Sequence, residues 1–255
     1  MGLSLKKKTC IIIPARYAST RFPGKPLVPL LGEPMILRVA NICAQVVGED
    51  HVYIATDSNE IAECVRSAGF TALMTKSDAL TGTDRVAEAA GRLDYDIYVN
   101  VQGDEPMVNP KDVTRCIRMK ESNQFSIING FTWVADEEDV HSVNLPKVVT
   151  NELGRLIYIS RNVVPAFKVV GNKSLQYKKQ VCIYAFSKDD LMAFQAFGRK
   201  SDLEKSEDIE ILRFFELGRE VLMCECAPGS LAVDVPSDVS KVEKALEKSN
   251  KFRLL

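Results

Sequence analysis

The sequence predicts an α/β protein: a doubly wound, mostly parallel sheet carrying a mixed α+β insertion. Two observations predict it. Short β-branched runs alternate with amphipathic stretches of helix length, and polar motifs follow the runs where ligands bind in such sheets, beyond the carboxyl ends of the strands. At 255 residues and 46% hydrophobic composition the chain has the material for one large core.

The elements follow in order. Thr9 to Pro14 (TCIIIP) reads as a buried strand, Pro34 to Gly48 as a helix, and His51 to Thr56 as a second strand. A helix capped by Ser58 and stopped at Gly69 comes next, then the strand TALMT from Thr71. The helix GTDRVAEAAGRL, the strand DIYVNVQ and a helix with Pro110 in its first turn complete the regular part. After Phe125 the pattern changes. Lys147 to Arg161 reads as a hairpin turning at NELG, and Tyr177 to Phe186 as a further strand. A single helix over Leu203 to Leu217, the strand EVLMCEC and a terminal helix from Pro236 finish the chain. The expected organisation is one domain over 1–255, with 126–200 as an insertion that builds the second wall of a cleft.

Charge and cysteine usage exclude several function classes. With 33 basic and 34 acidic residues the net charge is −1, which gives no basis for binding nucleic acid or acidic membranes. Seven scattered cysteines and two isolated histidines form neither a disulfide framework nor a zinc spacing. No apolar run approaches the roughly 20 residues of a membrane-spanning helix. The N-terminal lysines follow the first apolar residues, Pro14 cuts the next run short, and Lys6 stands where myristoylation wants Ser or Thr. A soluble, cytoplasmic protein is expected.

The chemistry concentrates in three motifs. IIPARYASTRFPGKPL puts Arg16, Arg21 and Lys25 on one loop among small residues, suited to gripping a polyphosphate through guanidinium forks and a point charge. It is not a Walker A loop, because Ser19 replaces the first glycine and Pro26 follows the lysine. VNVQGDEP places Asp104 and Glu105 at a strand end, and LAVDVPSD does the same for Asp234; two such aspartates suit one hard cation such as Mg²⁺. A turn-forming or capping role is the competing reading for each aspartate, and Asp238 is the better helix cap. TGTDR opens a helix at Thr81, whose hydroxyl and following N–H groups suit either a sugar or phosphate contact or an ordinary cap.

In this order, PARYASTRFPGKPL, ATDSNEI, TGTDRVAE, VNVQGDEP, Ser160–Arg161, IYAF and VDVPSD resemble the 3-deoxy-manno-octulosonate (Kdo) cytidylyltransferases, the CMP-Kdo synthetases, over about Cys10 to Val242. The resemblance implies a nucleotide-diphospho-sugar transferase-like fold and transfer of CMP from CTP to an acidic eight-carbon sugar for a bacterial surface glycan such as lipopolysaccharide. It implies that Arg16, Arg21 and Lys25 grip the triphosphate, with Asp104 among the catalytic groups. Pro14, Ala15, Thr81 and Gln102 would contact the CTP, Asp104 and Asp234 would hold Mg²⁺, and Arg161 would face the sugar carboxylate. Gln180, Tyr184, Glu210 and Ile211 would line the sugar side, and the family is usually dimeric.

The chain departs from the family pattern in four places, five residues in all. Gln180 stands for a histidine, Cys182 for a glycine, Ile211 for a glutamine, and Ala79–Leu80 for a His–Gln pair. Either these are neutral, with Ile211 packing on an apolar face, or they reshape the pocket for a Kdo relative. Two other readings stay open. One is a nucleotidyltransferase of the same fold acting on another acidic or phosphorylated sugar. The other is a catalytically silent nucleotide-binding homologue.

Overall fold

The computed structural model describes residues 7–18, 22–168 and 176–253. β1 (Thr9–Ala15) is buried along nearly its whole length and lies in the middle of the sheet. A two-residue hairpin, β2 (Pro29–Leu30) and β3 (Glu33–Pro34), leads into α1 (Met35–Val47). Met35, Ile36, Val39, Ala40 and Cys43 make the helix's apolar stripe, the spacing a core-facing helix needs. β4 (Val52–Thr56), α2 (Asn59–Ser67) and β5 (Thr71–Met74) wind outward; Ser58 caps α2 by accepting the Ile61 N–H.

α3 (Gly82–Ala90) returns the chain across the sheet to β6 (Ile97–Val101), on the other side of β1. α4 (Pro110–Ser122), β7 (Ile127–Trp133), the hairpin β8 (Lys147–Thr150) and β9 (Leu156–Ser160), and β10 (Lys178–Phe186) follow. The chain ends with α5 (Lys188–Ala196), α6 (Asp202–Glu207), α7 (Leu212–Glu216), β11 (Val221–Glu225) and α8 (Pro236–Arg253).

The main sheet runs β11-β7-β10-β6-β1-β4-β5. β1 pairs in parallel with β4 and β6, β4 with β5, and β11 with β7; β10 is antiparallel to both β6 and β7. Strand order reverses between β1 and β6, so the crevice beyond their carboxyl ends is the switch point where such sheets bind ligands. One apolar layer packs α1, α2 and α4 on the sheet, and a second packs α3, α5 and α7 on the opposite face.

Three features differ from expectation. The stretch 126–200 supplies β7 and β10 to the main sheet, and only β8 and β9 lie off its path. β7 is not distinguished in the sequence, because Asn129, Gly130 and Thr132 interrupt its apolar run. The helix expected over Leu203–Leu217 is broken: Asp208 takes a left-handed conformation (φ 50°), closes α6 by donating its N–H to Glu204 O, and redirects the chain before α7.

Candidate active site

The loop after β1 starts at the switch point. Arg16 is exposed at the strand end, and the Gly24 N–H donates to Tyr17 O (3.0 Å), drawing the loop's far end back towards its start. Arg21 lies outside the described residues. Lys25 begins a short 3-10 turn whose Pro26 is buried.

Lys25 does not point only at the loop's own compartment. Its Nζ donates to Asp104 Oδ2 (2.5 Å) and to Val233 O (2.9 Å), and lies 4.0 Å from Asp234 Oδ1. Asp104 is carried there by β6 through Gln102–Gly103. A Cβ on Gly103 would sit 3.1 Å from Pro14 O, so glycine is what lets this turn pass against β1. Asp234 is held by the backbone: its own N–H and that of Val235 both donate to Asp238 Oδ2 (3.1 Å each). Asp238 is thereby the turn-former, and its carboxyl is held below the usual range; burial, the largest single cause, opposes this, but those two N–H groups together with the Lys241 ammonium outweigh it.

Two carboxylates from distant parts of the chain therefore converge on one cation. The donor set, oxygen only, would suit a hard divalent ion, and the Lys25 ammonium occupies the position between the two carboxylates. Among the described residues no group of three or more His, Cys, Asp or Glu forms a metal cluster. The remaining oxygens would have to come from substrate and water.

On one side of this junction lies a compartment of about 250 Å³, lined by Pro14, Ala15, Arg16, Lys25, Thr81 and Gln102 among others. Its floor is α3. Thr81 is the helix cap, accepting the Asp84 N–H (3.2 Å) and donating its hydroxyl to Asp84 Oδ2 (2.7 Å). The next two N–H groups are not open to a phosphate. Gly82 N and Thr83 N donate to the two oxygens of Glu210 (2.9 and 2.8 Å). Burial raises the Glu210 carboxyl's pKa, against the pull of those hydrogen bonds. Glu210 thus clamps the start of α3 and also lines both compartments.

Beneath the floor, Arg213 is wholly buried and forks onto Asp84 (2.7 and 3.0 Å) and Glu204 (2.7 and 2.8 Å). Burial alone would lower its pKa, but the two carboxylates raise it, so α3, α6 and α7 are tied by a permanently ionised group.

On the other side lies a compartment of about 280 Å³ whose lining includes Arg161, Lys179, Gln180, Tyr184, Glu105 and Asp234. Its polar groups are largely engaged with one another. Arg161 donates to the carbonyls of Glu207, Val143 and Asp208, with 2.8 and 3.0 Å for the last two. The guanidinium therefore fastens three segments together and keeps only two N–H groups for a ligand. Gln180 Nε2 donates to Asn129 Oδ1 (2.9 Å) and Tyr184 OH (3.3 Å). Asn129 in turn fills the bulge in β10, donating to Val181 O and Ile183 O (3.1 Å each).

Ile211 is the correction among the predicted contacts. It is 1% exposed, packs in the apolar layer with Leu212 and Phe214, and lines neither compartment. The turn at Asp208 sends Glu210 to α3 and the next side chain into the core. Of the four departures from the family pattern, the one at Ile211 is therefore a packing position.

Two lining groups escape sequence reasoning. Lys179 ion-pairs with Glu138 on the loop before β8. Glu105 is buried, accepts the Ser230 hydroxyl (2.7 Å), and has its carboxyl pushed up to about 7 by burial and by the neighbouring Asp104. Lys179 sits in a run of ordinary strand lysines, with no spacing to mark it. Glu105 adjoins Asp104 in the motif, but only the fold shows which of the pair is buried.

A switch-point crevice with a cationic loop, an aspartate pair and two adjoining polar compartments defines a nucleotide-using transferase of the α/β class. Comparison with known proteins narrows this. The cytidylyltransferase family model matches residues 10–221. The 3-deoxy-manno-octulosonate cytidylyltransferase of Geobacter metallireducens is 39% identical, over 97% of this chain and all of that one. The Escherichia coli protein of the same name is 34% identical over 92% and 94%. A solved CMP:2-keto-3-deoxy-manno-octonic acid synthetase, complexed with CTP, superposes with a TM-score of 0.88 at 33% identity, covering 95% of this chain and 99% of the other. The chain belongs to the 3-deoxy-manno-octulosonate cytidylyltransferase family. At 15% identity and a TM-score of 0.69, an inositol-1-phosphate CTP transferase from T. maritima shares the fold.

Proposed function

We propose that the protein transfers a cytidylyl group from CTP to the anomeric hydroxyl of a 3-deoxy-ulosonic acid, Kdo or a close relative, and releases pyrophosphate. The observation that carries this reading is the convergence of Asp104 and Asp234 on one cation position between two compartments. Such a junction lets a nucleotide and an acceptor meet at the α-phosphorus.

Arg16, Arg21 and Lys25 bind the triphosphate. Pro14, Ala15, Thr81 and Gln102 surround the nucleoside, and Arg161, Gln180 and Tyr184 orient the acceptor. Asp104 and Asp234 would hold Mg²⁺, which would supply charge neutralisation and acidify an alcohol near it. The acceptor oxygen bonds to the α-phosphorus, the α–β bridging bond breaks, and the hydroxyl proton passes to water. The chain's cations stabilise the charge on the non-bridging and leaving oxygens. The same reading takes the enzyme as a Mg²⁺-dependent cytoplasmic homodimer serving a surface glycan.

The test is pyrophosphate release with CTP and Mg²⁺ across Kdo, an amino-substituted relative and nine-carbon acids. Fast release with one of these acids is expected. No release with any, or preference for a phosphorylated sugar, overturns the reading.

A further inference from the structure

We propose that Lys25 is the resident counter-ion of the metal seat: its ammonium holds Asp104 and Asp234 together until a divalent cation displaces it towards the triphosphate. This rests on the reading above that the two aspartates hold the metal. Three contacts, at 2.5, 2.9 and 4.0 Å, tie Nζ to residues about 80 and 210 positions away, so the site is built by tertiary structure rather than by a chance surface encounter.

Two carboxylates brought this close repel each other, and among the described residues Lys25 is a cation within reach of both. A divalent ion ligated at about 2.1 Å by Asp104 would lie less than about 5 Å from an ammonium bonded to the same carboxylate. The two positive charges compete for that position. Lys25 has somewhere else to go, because it also lines the compartment that carries Arg16. Nucleotide and metal binding are then positively coupled: triphosphate draws Lys25 away and frees the carboxylates.

The test needs no turnover. Mn²⁺ binding to the nucleotide-free protein is measured by electron paramagnetic resonance for wild type, Lys25→Met, Lys25→Gln and Asp104→Asn. Both Lys25 variants are expected to bind at an Asp104-dependent site at least about tenfold more tightly than wild type, the worth of one charge-assisted hydrogen bond. Equal or weaker binding overturns the proposal.

A second measurement uses the wild type alone. Saturating Mn²⁺ is expected to raise the acetic anhydride labelling rate of Lys25, read by peptide mass spectrometry; an unchanged rate overturns the proposal. Absence of any Asp104-dependent Mn²⁺ binding even with CTP overturns the metal assignment and this proposal with it. Pyrophosphate release is assayed separately, so loss of the counter-ion role leaves the transferase reading standing.

Discussion

The two compartments share a junction but are built in different ways. The compartment proposed for the nucleotide takes most of its chemistry from short contiguous motifs at the ends of parallel strands: Pro14 to Lys25 after β1, and Gln102 to Asp104 after β6. The acceptor side is assembled from the antiparallel strand β10, the loop before β8, the end of β9 and the turn after α6. Its groups spend much of their hydrogen-bonding capacity on one another, as Arg161 and Gln180 show. The first wall presents charge from a loop; the second is a packed polar network whose shape sets what fits.

That contrast is open to experiment, beginning with what both sides stand on. Arg213→Met strands the buried Glu204 and the half-buried Asp84, and is expected to destabilise the fold by about 3–5 kcal/mol in denaturant melts. A loss under 1 kcal/mol would mean the tie between α3, α6 and α7 is dispensable. Asp104→Asn strikes the junction: turnover is expected to fall at least about 10²-fold with the melting temperature near that of wild type. Retained activity removes Asp104 from the chemistry.

Glu105 tests the acceptor wall through pH. Its folded-state pKa of about 7 lies above the ordinary carboxylate value of 4.5, so the folded protein holds the proton more tightly than the unfolded chain. The resulting stability is full below pH 4.5 and is lost as pH rises through 7. Between pH 5 and 8 the wild type should lose about 2–3 kcal/mol that Glu105→Gln does not lose. Parallel stability curves for the two proteins would show that Glu105 ionises as it does in water. The smallest effect is expected from Ile211→Val, a cost of about 0.5–1.5 kcal/mol in stability with the acceptor KM unchanged. A shifted KM would return residue 211 to the sugar pocket.

The same contrast explains what the sequence reveals. Parallel strands buried on both faces read as apolar runs, and a phosphate-gripping loop reads as cations among small residues, so β1 to α4 and the first wall are legible. β7 is not, because Asn129 serves the bulge in the neighbouring β10 rather than its own strand's pattern. Nor is the break at Asp208, since a single left-handed residue leaves the helical periodicity on either side intact. Ile211 was expected beside the sugar because it stands where the family pattern has a glutamine. One turn of backbone separates their fates, and no linear motif records it.

Asp208 and Glu210 border both chambers, with Ile209 between them lining the second alone. Glu210 also clamps α3 through the N–H groups of Gly82 and Thr83. A partition common to two rooms cannot be moved for one occupant alone. Redesign at these positions trades acceptor choice against nucleotide seating, whereas Gln180 and Lys179 belong to one room only. The molecule thus separates naturally into a part that can be retuned for a new sugar and a part that must be left as it is.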